Sequence, residues 1–209
     1  MTGLFITFEG GDGAGKTTQV QRASDLLVSR GATVLVTREP GGTQISEELR
    51  SLVLDHGHGA SDARTEALMY AAARAAHVQQ KIRPALAAGT HVVCDRFVDS
   101  SLAYQGLGRG LGIEPVAAIN DFATGGLQPD LTIVLDISAA DGRARRAAAA
   151  GGVEQADRLE AEPDEFHDRN RQAFLDLAAA NPQRYLVVDA MLPAQQIADV
   201  IAKKLLELL

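Results

Sequence analysis

The segment from residue 10 to residue 17 constrains the fold of this chain more than any other. It reads Gly-Gly-Asp-Gly-Ala-Gly-Lys-Thr and satisfies the pattern G-x-x-x-x-G-K-[S/T] in full. An apolar run with strand composition, Leu4–Glu9, precedes it, and a stretch of helical composition, Thr17–Ser29, follows it. A strand, a glycine-rich loop and a helix in this order predict a P-loop at the edge of a parallel sheet.

The residue types in this loop fit the binding of nucleotide phosphates. Glycines let successive backbone N–H groups turn toward the β- and γ-phosphates, and the N-terminus of the following helix adds its dipole. Lys16 places positive charge where negative charge develops during transfer, and Thr17 offers a hydroxyl to Mg²⁺. The dinucleotide-binding pattern G-x-G-x-x-G fails here, because Lys16 stands where its third glycine would be.

Short β-branched runs alternate with longer helical patterns along the rest of the chain, which predicts a parallel sheet covered on both faces. The predicted strands are Leu4–Glu9, Thr33–Thr37, His91–Asp95, Leu131–Asp136 and Tyr185–Val188. The predicted helices are Thr17–Ser29, Ser46–Leu54, Arg64–Ala88, Pro115–Ala123, Ala140–Ala150, Pro163–Ala180 and Pro193–Leu209. We therefore expect one domain over residues 1–209 with the three-layer α/β/α fold of P-loop NTPases and about five parallel strands.

Composition excludes several classes of protein. The net charge of −7 argues against a protein that coats nucleic acid or sits on anionic membranes. No run approaches the roughly 18 apolar residues of a membrane-spanning helix. The one cysteine, Cys94, excludes an internal disulfide framework and a multi-cysteine zinc site. We expect a cytoplasmic protein whose partners are neither nucleic acid nor membrane.

Charged residues stand at the carboxyl ends of two predicted strands. Arg38 follows the second strand, Asp95 ends the third, and Arg96 follows directly after it. Ligands bind at the carboxyl ends of parallel strands, so Arg38 and Arg96 are placed to bind a second phosphorylated ligand. Asp95 is a candidate for holding Mg²⁺ or its water shell, and a structural Asp95–Arg96 ion pair is the alternative.

Several blocks of the sequence, in the correct order, resemble bacterial thymidylate kinases. They are Phe8-Glu-Gly-Gly-Asp-Gly-Ala-Gly-Lys-Thr-Thr18, Thr37-Arg-Glu-Pro-Gly-Gly-Thr43, Asp95-Arg-Phe97, Ser100-Ser-Leu-Ala-Tyr-Gln-Gly106 and Asp157-Arg-Leu-Glu160. The resemblance covers nearly the whole chain. It implies ATP-dependent phosphorylation of dTMP to dTDP, Mg²⁺ as the cofactor, and a homodimer of the nucleoside monophosphate kinase fold.

The resemblance also implies roles for individual residues. Asp12 would accept a hydrogen bond from the deoxyribose 3′-hydroxyl, Tyr70 would stack on thymine in place of a more usual phenylalanine, and Arg74 would donate to thymine O4. Tyr104 would crowd C2′ and so exclude a ribose hydroxyl. Acceptor-phosphate contacts would come from Arg38, Arg50 and Arg96, and polar groups near the pyrimidine from Ser101 and Gln105. ATP would be bound by Gly10, Gly11, Asp12, Gly13, Ala14, Gly15, Lys16, Thr17, Thr18 and Arg143. Thr17 and Asp95 would hold the Mg²⁺ ion.

Residues 142–160 combine clustered arginines with a Gly151-Gly152 break, as a mobile lid over phosphates requires. A solvated basic helix joined by a surface loop is the alternative. Because positions 13 and 14 carry no charge, the chain resembles those thymidylate kinases whose lid supplies an arginine. The catalytic residues implied are Lys16, Arg96 and Arg158, with Arg143, Arg145 and Arg146 as alternatives to Arg158 or as adenine-side contacts.

Two other functions remain open from the sequence. A deoxynucleoside kinase needs no arginines for an acceptor phosphate, so Arg38 and Arg96 argue against it. A regulatory P-loop switch would hydrolyse nucleotide slowly and without an acceptor. A guanine-reading Asn-Lys-x-Asp element is absent from the sequence, which argues against a GTPase.

Overall fold

The computed structural model describes residues 3–55, 59, 61–150 and 157–209. Within these ranges five strands form one sheet in the order β2-β3-β1-β4-β5, and every neighbouring pair is parallel. The strands are β1 (Phe5–Gly10), β2 (Val34–Arg38), β3 (His91–Asp95), β4 (Leu131–Asp136) and β5 (Tyr185–Asp189). The predicted parallel sheet of five strands is confirmed, with strand limits that differ from the prediction by at most one residue.

Helices connect the strands and cover the sheet. They are α1 (Lys16–Ser29), α2 (Gln44–Leu54), α3 (Ala63–His77), α4 (Arg83–Ala87), α5 (Val98–Ser101), α6 (Ile113–Thr124), α7 (Ala139–Ala150), α8 (Asp164–Ala180) and α9 (Ala194–Leu206). Two π-helical segments, Val78–Ile82 and Leu102–Gly108, continue α3 and α5. None of the described helices is long and apolar enough to cross a membrane.

The alternation of side chains along β1 shows how the three layers form. Ile6 and Phe8 pack with Leu27 of α1 and Ile201 of α9 on one face of the sheet. Phe5, which points to the opposite face, packs in a separate buried cluster there. Successive residues of a strand point to opposite faces, so a strand apolar on both faces requires helices on both sides. The predicted α/β/α layering is confirmed.

The prediction of one helix over Arg64–Ala88 is wrong in detail. The α-helix stops at His77, and a π-helical turn separates it from α4, where Pro84 lies in the first turn. Proline has no N–H to donate inside a continuous helix, so the register changes before it. The sequence analysis also missed α5 and the π-helical segment after it. Gly106 and Gly108 lower the helix propensity of that segment, so its sequence does not predict a helix. Contacts with α6 and α8 stabilise the segment in the folded protein.

Candidate active site

Two cavities meet at the carboxyl edge of the sheet, where β1, β2 and β3 end. The smaller has a volume of about 160 Å³ and the larger of about 530 Å³. Five residues line both cavities: Asp12, Glu39, Arg50, Arg96 and Glu160. Two ligands bound in these cavities would therefore meet beside two arginines.

The structure divides the predicted site residues between these two cavities. The larger is lined by Asp12, Gly13, Gly15, Lys16, Thr17, Thr18, Arg38 and Asp95. The smaller is lined by Asp12, Arg50, Tyr70, Arg74, Arg96, Ser101, Tyr104 and Gln105. Gly10 and Ala14 are buried within the loop, and Gly11 lines a separate small cavity.

The glycine-rich loop holds the lysine side chain against its own backbone. The Nζ atom of Lys16 donates to the carbonyl oxygens of Gly10 and Gly11, at 3.1 and 2.9 Å, and lies 3.7 Å from a carboxylate oxygen of Asp12. Burial and the nearby Arg96 charge lower the pKa of Lys16, and the surrounding carboxylates oppose that shift. The loop therefore presents a pre-positioned cation in the larger cavity.

The start of α7 packs directly on the loop. Gly13 has a φ of 82°, and a side chain there would overlap the carbonyl oxygen of Gly142. A side chain at Gly142 would in turn overlap the carbonyl oxygen of Asp12. Two glycines thus allow backbone to meet backbone, and this contact sets where the arginines of α7 lie.

Thr17 and Asp95 form an oxygen pair in the larger cavity. The hydroxyl Oγ1 of Thr17 lies 3.4 Å from Oδ2 of Asp95, and within the described residues Oδ1 of Asp95 is buried without a hydrogen-bond partner. No cluster of three or more His, Cys, Asp or Glu occurs in that same part of the chain. Mg²⁺ in phosphate sites takes one or two protein oxygens and completes its shell with phosphates and water, so this pair fits it.

Arg96 joins the loop to the segment that follows β3. Its Nη2 donates to Oδ1 of Asp12 at 2.6 Å, and its Nη1 donates to Oγ of Ser100 at 3.0 Å. Burial would raise the pKa of Asp12, but the charges of Arg96 and Lys16 outweigh burial and hold that pKa below its usual range. Asp12 therefore stays a carboxylate that fixes the Arg96 guanidinium between the two cavities.

A buried carboxylate that the sequence analysis missed supports the turn at Arg96. Arg96 has a φ of 68°, the only positive value at a non-glycine residue in the described chain. Glu9 is fully buried and accepts from the N–H of Phe97 at 2.8 Å and from the N–H and Oγ of Ser100 at 3.3 and 2.6 Å. A strained turn persists only where its surroundings fix it, and Glu9 supplies that fixation.

The buried position of Glu9 predicts a pH-dependent stability. Burial, and next the charge of Asp99, raises the pKa of Glu9 from 4.5 to about 7. The folded state then binds this proton more tightly than the unfolded state, so the stabilisation present below pH 4.5 is lost as pH rises toward 7. Relative to the wild type, Glu9→Gln should therefore gain a few degrees of melting temperature between pH 5 and 8. Thermal unfolding across this range tests it, with Glu114→Gln on the exposed face of α6 as the control; a constant difference would contradict it.

Arginines from two elements converge on one carbonyl oxygen. Arg38 and Arg50 donate to the carbonyl oxygen of Pro40 at 2.7 and 3.0 Å, and Arg38 also pairs with Glu47 at 2.9 Å. Burial, and next the charge of Arg38, lowers the pKa of Arg50. Arg50 and Arg96 line both cavities and Arg38 lines the larger one, so these guanidinium groups can bind an anion close to the junction.

In the smaller cavity, Arg74 is held on several sides. Its Nε donates to Oε2 of Glu39 at 2.6 Å, its Nη1 donates to Oγ of Ser101 at 2.9 Å and to Oδ1 of Asn120, and its Nη2 donates to the carbonyl oxygen of Phe97 at 2.9 Å. A guanidinium carries five N–H donors, which leaves one on Nη2 for a ligand. Arg74 is thus a fixed donor.

Two tyrosines line the same cavity. Tyr104 packs edge-to-face on Phe166, with ring centroids 5.9 Å apart, and the Arg96 guanidinium lies 5.3 Å from its ring centroid. Tyr70 packs in a buried cluster against α2 and against Leu159. Burial raises the pKa of both phenols, so both rings stay neutral.

The structure does not place Arg158 at the phosphate loop. Its Nη2 donates to Oε2 of Glu66 at 2.6 Å and its Nη1 donates to Oγ of Ser61 at 2.9 Å. Glu66 is buried, and a buried carboxylate retains its cationic partners strongly. Arg158 lines neither cavity in this arrangement, and its catalytic role stays a prediction.

Other arginines of the expected lid do reach the larger cavity. Arg145 and Arg146 line it, and Nη1 of Arg146 lies 3.0 Å from a carboxylate oxygen of Glu160. Arg143 pairs with Asp164 and lines neither cavity. The Gly151-Gly152 break lies outside the described residues.

The residues that hold the site were the ones missed by sequence reasoning. Glu66 stands four residues before Tyr70 and eight before Arg74, which places all three on one helix face, and this spacing could have found it. Glu39 follows Arg38 within a block already noted. Asn120 gave no signal in the sequence.

Comparisons with known proteins identify the family of the chain. The thymidylate kinase family model matches residues 8–201. The chain is 49% identical to the thymidylate kinase of Enterococcus faecalis over 99% of this chain and 97% of that protein. It is 52% identical to that of Clavibacter sepedonicus over 96% and 93%. The crystal structure of thymidylate kinase from Ehrlichia chaffeensis superposes with a TM-score of 0.78 at 32% identity, covering 98% of this chain and 99% of that one. The chain therefore belongs to the thymidylate kinase family.

Proposed function

We propose that the larger cavity binds ATP and the smaller binds dTMP, so that their phosphates meet between Arg50 and Arg96. As a member of its family, the chain catalyses the ATP-dependent phosphorylation of dTMP to dTDP, a nucleoside monophosphate kinase reaction. The observation that carries the assignment is the division of the site into two cavities with arginines at their junction.

On the donor side, the loop N–H groups and Lys16 bind the β- and γ-phosphates. Thr17 and Asp95 are the residues that would hold Mg²⁺, which when bound neutralises charge on the ATP phosphates. Lys16 lines only the larger cavity, which fits a role toward the donor.

On the acceptor side, Tyr70 stacks on thymine, Arg74 donates to O4, and Ser101 and Gln105 lie beside the base. Asp12 accepts from the 3′-hydroxyl, and its Oδ2 is the oxygen that Arg96 leaves available. Tyr104, wedged against Phe166, crowds C2′ and excludes ribose.

The transfer requires no general base. The dTMP phosphate is already largely a dianion near neutral pH, since its second pKa is about 6. Its oxygen attacks the γ-phosphorus in line, the bond to the β,γ-bridging oxygen breaks and ADP leaves, while Lys16, Arg96 and a lid arginine stabilise charge on the equatorial oxygens. Arg38 and Arg50 hold the acceptor phosphate.

Within a single domain, Arg143, Arg145 and Arg146 of α7 belong to the lid expected over residues 142–160, and closure of that lid would exclude water that would hydrolyse ATP. Arg145 and Arg146 supply the phosphate contacts because they already face the larger cavity. Arg143 lines neither of the two cavities, and we assign it the adenine-side contact. The protein works in the cytoplasm, where ATP and dTMP are available to it.

A steady-state acceptor screen tests the function. With ATP and Mg²⁺, dTMP should give the highest kcat/KM among dTMP, dUMP, dCMP, AMP, GMP, shikimate and thymidine. The physical reason for this preference is that Arg74 and Gln105 contact the thymine base and Tyr104 excludes a ribose hydroxyl. Preference for another acceptor would contradict the assignment, phosphorylation of thymidine would indicate a deoxynucleoside kinase, and acceptor-independent hydrolysis would indicate a regulatory switch.

A homodimer fits the surface of three adjacent helices. Leu52 of α2, Leu68 of α3 and Phe122 of α6 are exposed large apolar side chains, and α3 packs against both α2 and α6. Phe122 is 91% exposed, an unusual position for a phenylalanine in a monomer. We expect Phe122→Asp to convert a dimer into a monomer in sedimentation velocity, and the control Val200→Asp on α9 to stay dimeric. A monomeric wild type would refute the dimer.

A further inference from the structure

A buried carboxylate, Glu66 of α3, collects donors at the edge of the smaller cavity. It is 1% exposed and accepts from Nε2 of Gln105 at 2.9 Å. Arg109 donates to it through Nε and Nη2, both at 3.3 Å, and Arg158 through Nη2 at 2.6 Å. Two guanidinium groups therefore anchor the carboxylate that contacts Gln105.

This contact fixes which end of the Gln105 amide faces the ligand. A carboxylate paired with two guanidinium groups only accepts hydrogen bonds, so the NH₂ of Gln105 must point to Glu66. Gln105 is 2% exposed and lines the smaller cavity, and in the described part of the chain no group donates to its Oε1. The amide is thus held with its carbonyl oxygen free to accept from a ligand.

Arg74 offers the opposite chemistry to the same cavity. Its guanidinium is donor-only and is fixed by Glu39 and Phe97. A donor from Arg74 and an acceptor from Gln105 complement the O4 acceptor and N3–H donor of thymine. Cytosine carries the reverse pattern, with an amino donor at C4 and an acceptor at N3.

We propose that Glu66 is a positioning residue that sets base specificity by fixing the orientation of the Gln105 amide. This inference rests on the proposed binding of dTMP in the smaller cavity. Glu66 touches neither substrate and acts through Gln105. A neutral amide in its place could either accept a hydrogen bond from Gln105 or donate one to it, so the Gln105 amide could turn over.

The test measures kcat and KM for dTMP and dCMP in Glu66→Gln, Gln105→Met and the double variant. Glu66→Gln should raise KM for dTMP and lower the preference for dTMP over dCMP, as a ratio of kcat/KM, each about 10-fold. KM for ATP should stay unchanged, because Glu66 does not line the larger cavity. Gln105→Met should show the same loss of preference. Glu162→Gln is the matched control, because Glu162 pairs with Arg109 at 2.5 Å without contacting Gln105.

The double variant separates positioning from a general structural effect. In the Gln105→Met background, Glu66→Gln should cause no further change in base preference, because coupled residues are not additive. An unchanged preference in Glu66→Gln, or an equal added loss in both backgrounds, would overturn the inference. If Glu66→Gln fails to fold, Glu66→Asp replaces it, because aspartate keeps an acceptor-only group. Glu66→Asp must then retain the preference for dTMP that Gln105→Met loses, and a loss of that preference in Glu66→Asp would overturn the inference. A wild type inactive on dTMP would refute the proposed function before any variant is compared.

Discussion

Replacing Lys16 with methionine should lower kcat for dTMP phosphorylation by about 10²–10³-fold, the effect of removing one pre-positioned group that stabilises transition-state charge. Nζ of Lys16 is held by two loop carbonyl oxygens, so it is in place before the substrates bind. KM for dTMP should change little, because Lys16 does not line the smaller cavity. Steady-state kinetics with each substrate varied measures both quantities.

The exposed Lys203 of α9 provides the matched control for this substitution. Lys203→Met removes the same charge from the last turn of α9, where Lys203 lines neither cavity, and should leave kcat unchanged. A Lys16→Met enzyme that kept its kcat and lost only affinity for dTMP would contradict the assignment of the larger cavity to ATP.

Replacing Arg146 with alanine should lower kcat by about 10³-fold or more, the range of arginines that stabilise a phosphoryl-transfer transition state. Arg146 lines the larger cavity and lies close enough to Asp12 for its charge to contribute to the lowered pKa of that carboxyl. Arg158→Ala should lower kcat less than about tenfold, because its guanidinium is engaged by Glu66. Single-turnover and steady-state rates of both variants decide whether Arg146 or Arg158 stabilises the transition state.

The two arginine variants serve as controls for each other. Arg158→Ala should lower the melting temperature, since the buried Glu66 loses one of its guanidinium partners. Arg146→Ala should leave stability nearly unchanged, because its ion pair with Glu160 is partly exposed. A large loss of kcat in Arg158→Ala alone would show that residues 157–160 move to the phosphates during catalysis.

Local sequence determined much of the fold and of the donor site. The strand, loop and helix around Lys16 are contiguous, and short-range sterics at Gly13 and Gly15 decide how the loop turns. Arg38 and Asp95 were placed at strand ends from apolar runs alone, and the register that pairs them across β2 and β3 follows from sheet geometry. The loop and the positions of the strand ends need only neighbours in the chain, whereas the register needs the pairing of β2 with β3.

The acceptor pocket and the lid depended on contacts between distant parts of the chain. Glu66 and Gln105 are 39 residues apart, and Glu66 and Arg158 are 92 apart. The sequence pattern did not predict the π-helical segment that carries Gln105, because the glycines of that segment lower its helix propensity. The family resemblance therefore indicated the side chains that line this pocket, but not the carboxylates that orient them.

The sequence by itself determined the phosphate loop, the parallel sheet and, through ordered blocks, the family. The phosphate loop follows from a short motif whose conformation is fixed by nearby residues, and the sheet was predicted from apolar runs that alternate with helical patterns. Only the tertiary structure decided that Arg145 and Arg146, rather than Arg158, face the larger cavity. It also decided that Glu9 hydrogen-bonds the turn after Arg96 and that Glu66 hydrogen-bonds Gln105. The physical reason is burial: a carboxylate enclosed by the fold binds whichever donors packing brings to it, and packing is not local.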